Sequence, residues 1–230
     1  MTEAQIAVAF DLDDTLYPES EFVLSGFRAV ADMLAERSGA SADRIYEFLE
    51  AEFKNGVRGD NFDRLLEEMD LDASVTELVE QYRTHDPQID LITNAVTCLD
   101  RLADRPLALI TDGKTRKQRR KIAALGLTEW IDEIYISEEF GSGNEKPATD
   151  MFEAFLKDTG HDPTCAVYIA DNPTKDFVAP NELGMRSIWL DRSWGEYAAE
   201  SPETDVQRPT MTVESLLPVP DIIRKWETEL

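Results

Sequence analysis

Histidine and cysteine are both scarce, with two of each among 230 residues: His85, His161, Cys98 and Cys165. That leaves no Cys/His spacing able to hold zinc, and little for chemistry that needs a histidine base. Both cysteines sit among apolar neighbours, which predicts reduced core residues in a cytoplasmic protein rather than a disulfide. Long apolar runs are missing too. None approaches the roughly 20 residues of a membrane helix, and the first residues show no basic-then-apolar leader, so no membrane partner is expected. Positive charge is short as well: 23 Lys and Arg stand against 47 Asp and Glu, for a net charge of −24. A field of that sign argues against nucleic acid or an anionic membrane surface as the main partner. The acids are spread along the chain, a pattern that suits either a protein kept soluble at high salt or an ordinary acidic enzyme. With 42% hydrophobic residues, the chain can bury one full core, alone or with a smaller insert.

The densest information lies between Ile6 and Thr15. Ile6 to Phe10 is a run of five apolar residues, the length of a strand buried on both faces and too short for a buried helix. Asp11, Asp13 and Asp14 follow where that strand ends. In an open parallel sheet, ligands sit at the carboxyl ends of the strands. Crowded carboxylates repel unless a cation or a shared proton relieves them, so a divalent-metal site is expected rather than a simple turn.

Beyond Thr15 the pattern is helical as far as residue 92. Val23, Phe27, Val30 and Leu34 keep helical spacing up to Gly39. Ser41 is placed to cap a second helix carrying Ile45, Phe48, Leu49 and Phe53. A polar loop through Lys54, Arg58 and Asn61 precedes a third. Ser74 and Glu77 have the spacing of a capping box for a fourth. From residue 93 the rhythm changes to alternating helices and strands, with strands expected at Leu107–Thr111, Glu133–Ser137, Ala166–Ala170 and Arg186–Leu190. That alternation predicts an α/β fold: a parallel sheet with right-handed crossovers, to which the first strand also belongs. Residues 1–14 and 93–230 are then a core domain, and residues 15–92 a helical insertion placed as a lid.

Polar clusters close three more strand-and-loop units: Thr111-Asp112-Gly113, Asn144-Glu145-Lys146-Pro147, and Asp171 through Asp176. Singly, each has an ordinary reading as a turn, a surface lysine or a helix cap. Together, at the ends of alternating units, they would all face the crevice occupied by Asp11 and Asp13. The run from Lys114 to Lys121 holds six basic residues in eight and reads best as the solvated face of a helix, with Lys114 and Arg116 near enough to attract an anion.

These residues resemble the haloacid dehalogenase-like hydrolase superfamily, the aspartate-nucleophile phosphatases with an α-helical cap of the C1 type. The first motif is Asp11-x-Asp13-x-Thr15, the second Thr111, the third Lys146 in its Lys-Pro context, and the fourth Asp171-x4-Asp176. Two positions depart from the usual pattern: Asp112 stands where Asn is frequent, and Ala170 where Gly is usual. The resemblance implies a Rossmann-like three-layer core with a helical-bundle cap. It also implies Mg²⁺-dependent hydrolysis of a small phosphorylated metabolite (a sugar phosphate, phosphoglycolate or nucleotide) by a monomer or homodimer. Asp11 would attack phosphorus and Asp13 would serve as acid and base. Thr111 and Lys146 would hold the phosphoryl oxygens. Mg²⁺ would be bound by Asp11, the Asp13 carbonyl and Asp171, with Asp176 orienting metal-bound water or pairing with Lys146. Asp112 and Gly113 are expected beside the phosphate, and Lys54 and Arg58 are expected to read the rest of the substrate. Family dehalogenases lack the second Asp, so Asp13 argues against dehalogenation. A phosphosugar mutase keeps it and stays open, as does a silent phosphate-binding protein, though the retained motif set weighs against the latter.

Overall fold

The computed structural model describes residues 5–230. By compactness the chain divides into two units, one of residues up to Glu19 together with Asp90–Leu230, the other Ser20–Ile89. Leu16 and Tyr17 are fully buried and Ile92 donates its N–H to the Leu16 carbonyl, which carries the first unit past the carboxylate run to Glu19.

The first unit is built on a six-stranded, all-parallel sheet. In chain order the strands are β1 (Ala7–Phe10), β2 (Leu107–Thr111), β3 (Glu133–Ile136), β4 (Ala166–Ala170), β5 (Arg186–Leu190) and β6 (Met211–Val213). Their spatial order is β3-β2-β1-β4-β5-β6. The order reverses at β1, which pairs with β2 on one side and β4 on the other, Phe10 lying opposite Leu109 and Ile169. Successive strand residues point to opposite faces, and here both sets are buried. Ala7, Ala9, Ile110 and Tyr168 pack against Met151, Phe152 and Phe155, while Val8, Phe10, Leu109 and Val167 are equally inaccessible. This explains why the strands read as unbroken apolar runs rather than alternating ones. Helices α5 (Thr93–Leu102), α6 (Thr115–Ala124), α7 (Ser137–Phe140), α8 (Asp150–Thr159), α9 (Val178–Leu183) and α10 (Val219–Glu227) complete this unit. β6 and α10 lie beyond the five strands expected from sequence. β6 is a three-residue edge strand, too short for a period to show. Ser137 starts α7 rather than ending β3.

The second unit holds most of α1 (Glu19–Ser38) and all of α2 (Ala42–Lys54), α3 (Asn61–Met69) and α4 (Val75–Thr84). Phe27, Val30, Leu34, Ile45, Leu49, Phe62, Leu65 and Leu78 form its core. Ser41 and Ser74 cap α2 and α4, accepting from the N–H groups of Arg44 and Glu77. The Glu77 carboxylate is paired with Arg37.

Candidate active site

The carboxyl ends of β1, β2 and β4 converge at the point where the strand order reverses, the place an open α/β sheet reserves for ligands. Asp11 follows β1, Thr111 ends β2, Asp171 follows β4, and Lys146 reaches in from the loop before α8. They line one pocket of about 170 Å³ with Asp13, Asp112, Lys117, Asn172, Lys175, Asp176 and Tyr197.

Lys146 is the electrostatic centre. Its Nζ lies 2.7 Å from Asp11 Oδ1 and 2.8 Å from Asp176 Oδ1, and it donates to the Tyr168 hydroxyl at 2.9 Å. Burial opposes its charge, but Asp11 and Asp176 outweigh that and hold the ammonium protonated well above the usual lysine range. For Asp11, burial raises the carboxyl and Lys146 pulls it back, leaving it at about 7. Asp171 is raised well above the ordinary carboxylate value by burial and by the charges of Asp11 and Asp176. One carboxylate oxygen from each of Asp11, Asp171 and Asp176 lies within 4.8 Å of the other two. These three clustered carboxylates offer hard oxygen donors that fit a small divalent cation, whose charge would offset the burial and the neighbouring negative charge that raise Asp11 and Asp171.

Asp13 and Asp14 do not join that cluster. The Asp13 carboxylate accepts from Lys121 Nζ at 2.5 Å, from Gln118 Nε2 at 3.1 Å and from the Tyr17 hydroxyl. Burial raises this acid, but Lys121 and Lys117 more than offset it and bring it down to about 2. Asp14 adopts a left-handed backbone, φ 52°, and accepts from the N–H groups of Glu19 and Glu196 at 2.8 Å each. Arg192 donates to the carbonyls of Asp14 and Thr15 at 2.7 and 3.0 Å, and these contacts hold the loop that brings Tyr197 to the pocket.

Thr111 is buried and its hydroxyl accepts from Gln118 Nε2 at 2.8 Å, leaving its own proton to donate. Gly113, φ 133°, donates its N–H to Ser137 Oγ at 3.0 Å. Asp112 accepts from the Lys146 N–H at 3.0 Å and pairs with Lys175 Nζ at 2.7 Å. Asp176 Oδ2 accepts from the Asn172 N–H at 3.0 Å. Lys54 and Arg58 belong to the helical unit. Lys54 pairs with Glu50 at 3.0 Å; Arg58 donates to the Phe53 and Val57 carbonyls and lies over the Phe53 ring.

The basic run departs from the surface-face reading. Lys114 does pair at the surface with Glu138, but Lys117 lines the pocket, and Gln118 and Lys121 turn inward to Asp13. Positions 117, 118 and 121 share one side of a helix, a spacing present in the sequence but hidden by the density of charge around it. Lys175 falls at an unspecified position of the fourth motif and Tyr168 within an apolar strand, so neither stands out in the sequence.

Residues 8–190 match the model of the haloacid dehalogenase-like hydrolase family. A glyceraldehyde 3-phosphate phosphatase of Methanocaldococcus jannaschii is 30% identical over 231 residues, covering 96% of this chain and 98% of that protein. The Methanopyrus kandleri protein of the same name is 29% identical, covering 95% and 97%. A ribulose-1,5-bisphosphate 5-phosphatase of Halopiger xanaduensis is 30% identical over 216 residues, covering 86% and 89%. Among solved structures, a haloacid dehalogenase-type phosphatase from Thermococcus onnurineus superposes with a TM-score of 0.61 at 22% identity, covering 95% of this chain and 98% of that one. A 2-haloacid dehalogenase from Pseudomonas syringae superposes at 0.65, also at 22% identity, over 96% and 99%. The two structural matches speak to the fold alone. The all-parallel α/β sheet with its covering helices is a Rossmann-like fold. The chain belongs to the haloacid dehalogenase-like hydrolase family, and it is a phosphoric monoester hydrolase.

Proposed function

We propose that the protein hydrolyses a small sugar phosphate or related phosphorylated metabolite through a covalent aspartyl-phosphate on Asp11, with Mg²⁺ as cofactor. The observation that carries this reading is Asp11 itself: a buried carboxylate at a strand end, 2.7 Å from the Lys146 ammonium and beside Asp171 and Asp176. When bound by Asp11 and Asp171, and the Asp13 carbonyl that the family resemblance adds, the cation would supply the counter-charge two anions need to approach.

The remaining work falls to the chain. Lys146 and the Thr111 hydroxyl bind the phosphoryl oxygens and stabilise charge in transit. An Asp11 oxygen bonds to phosphorus as the bond to the leaving oxygen breaks, and Asp13 gives that oxygen a proton. Asp13, now a carboxylate, takes a proton from water. The water oxygen bonds to phosphorus, the P–O bond of the Asp11 acyl phosphate breaks, and inorganic phosphate leaves with Asp11 again a carboxylate and Asp13 again protonated. In the resting site Asp13 is ionised; a dianionic phosphoryl group in the pocket adds negative charge beside it and favours the protonated form the first step needs. The pocket is smaller than the usual range for whole small-molecule ligands, which suits it to the phosphoryl end of the substrate. The names of the archaeal relatives support a phosphorylated triose or pentose derivative as the substrate class.

The test is phosphate release from glyceraldehyde 3-phosphate, ribulose 1,5-bisphosphate and a panel of other phosphorylated metabolites, with Mg²⁺ and with chelator. The proposal expects Mg²⁺-dependent turnover of at least one sugar phosphate. Absence of turnover across the panel, or full activity in chelator, would contradict it.

A further inference from the structure

Among the described residues of the α/β unit, Lys121 is the one lysine that is entirely inaccessible, and it lies outside the proposed phosphate pocket. It is paired with Asp13 at 2.5 Å and Glu19 at 3.3 Å, and its ammonium lies 5.8 Å from the centre of the Tyr17 ring. Burying an ammonium is costly unless it is paired, and a helix could carry any apolar residue here more cheaply. One turn earlier Gln118 bridges two site groups, donating from the same amide nitrogen to Asp13 Oδ2 at 3.1 Å and to Thr111 Oγ1 at 2.8 Å. Tyr17 closes the cradle from the other side. Both Asp13 oxygens are therefore occupied, from two elements, in one orientation.

We propose that Lys121 and Gln118 are positioning residues that aim the Asp13 carboxyl group at the leaving-group oxygen. Lys121 fixes one oxygen of Asp13, and Gln118 ties the other to the threonine that holds the phosphoryl group, so that proton donor and phosphoryl site keep a set spacing. This rests on the reading of Asp13 as acid and base. A purely structural role, neutralising Asp13 and Glu19 in the core, would affect every substrate alike. A positioning role would not: an alkoxide leaves only with a proton, whereas the carboxylate of an acyl phosphate leaves without one.

The experiment compares kcat/KM for an alkyl phosphate turned over by the wild type with kcat/KM for acetyl phosphate, in the wild type, Asp13→Asn and Lys121→Met. Asp13→Asn should lose at least tenfold more on the alkyl phosphate than on acetyl phosphate, and Lys121→Met should show the same selectivity. Selective loss in Asp13→Asn with equal or no loss in Lys121→Met would overturn the positioning role while leaving Asp13 as the acid. No selectivity in Asp13→Asn would overturn both. If Lys121→Met does not fold, Lys121→Arg, which keeps the charge but displaces the donors, is judged by the same ratio.

Discussion

Asp112 carries a negative charge at the lining of the proposed phosphate pocket, and Lys175 explains how that is tolerated: its ammonium sits 2.7 Å away. The Asp112 acid is lowered because Lys146 and Lys175 outweigh the upward push of burial. Asp112→Asn keeps an oxygen to accept the Lys146 N–H but removes the charge and releases Lys175 toward the pocket. Steady-state kinetics should show a severalfold lower KM and tighter inhibition by inorganic phosphate, with kcat changed less. An unchanged or higher KM would mean that the pair is needed intact. Asp11, Thr111, Lys146 and Asp171 were legible in the sequence because each follows or ends a strand whose apolar run announces it, or sits in a Lys-Pro loop. Lys121 was not legible, since helix position says which side a residue faces but not whether that side is buried. Asp14 lines the same pocket as Asp11 and Asp13, but its carboxylate is taken up by the N–H groups of Glu19 and Glu196, which composition does not reveal.

At the scale of elements, α1 and α4 come close at Gly26, where an added Cβ would collide with the Tyr82 ring. Tyr82 is itself wedged against the rings of Phe22, Phe27 and Phe62, so it has little room to yield. Gly26→Ala should destabilise the helical unit by about 1–3 kcal/mol, the scale of overpacking, despite the better helix propensity of alanine. Urea unfolding would measure it; a stabilised variant would show that Tyr82 moves freely. The caps can be probed in the same way. Ser74→Ala removes an acceptor for the Glu77 N–H and should cost about 1 kcal/mol. The helices of this unit could be read from period and caps alone. β6 and α10 could not be placed in the same manner, because an edge strand of three residues has no period and its pairing with β5 is a tertiary fact.

For the whole molecule, a net charge of −24 means self-repulsion in the compact state. Raising NaCl from low to molar concentration should screen it and raise Tm, with a falling Tm as the contrary result. A sharper dependence follows from the acidic site. Asp11 rises from 3.8 to about 7 on folding and Asp171 also rises, so the folded protein binds protons more tightly than the unfolded chain. Stability without metal is then greatest below about pH 4 as far as these groups are concerned, and falls as pH climbs toward 7. The proposed Mg²⁺ would compete with those protons, so any Tm gain it gives should grow between pH 5 and 7.5 in calorimetric scans. A gain that shrinks over that range would place the cation elsewhere. No helix among the described residues is long and apolar enough to cross a membrane, in keeping with the short apolar runs of the sequence.

The proposed covalent step at Asp11 is open to direct measurement. Enzyme mixed with a ³²P-labelled sugar phosphate that it turns over, and quenched in acid within the first turnovers, should carry protein-bound label that hydroxylamine releases, as an acyl phosphate requires. Asp11→Asn, folded with an unaltered Tm transition, should carry none and turn nothing over. Rapid turnover by wild type with no label trapped, or label and turnover persisting in Asp11→Asn, would contradict the aspartyl-phosphate on Asp11.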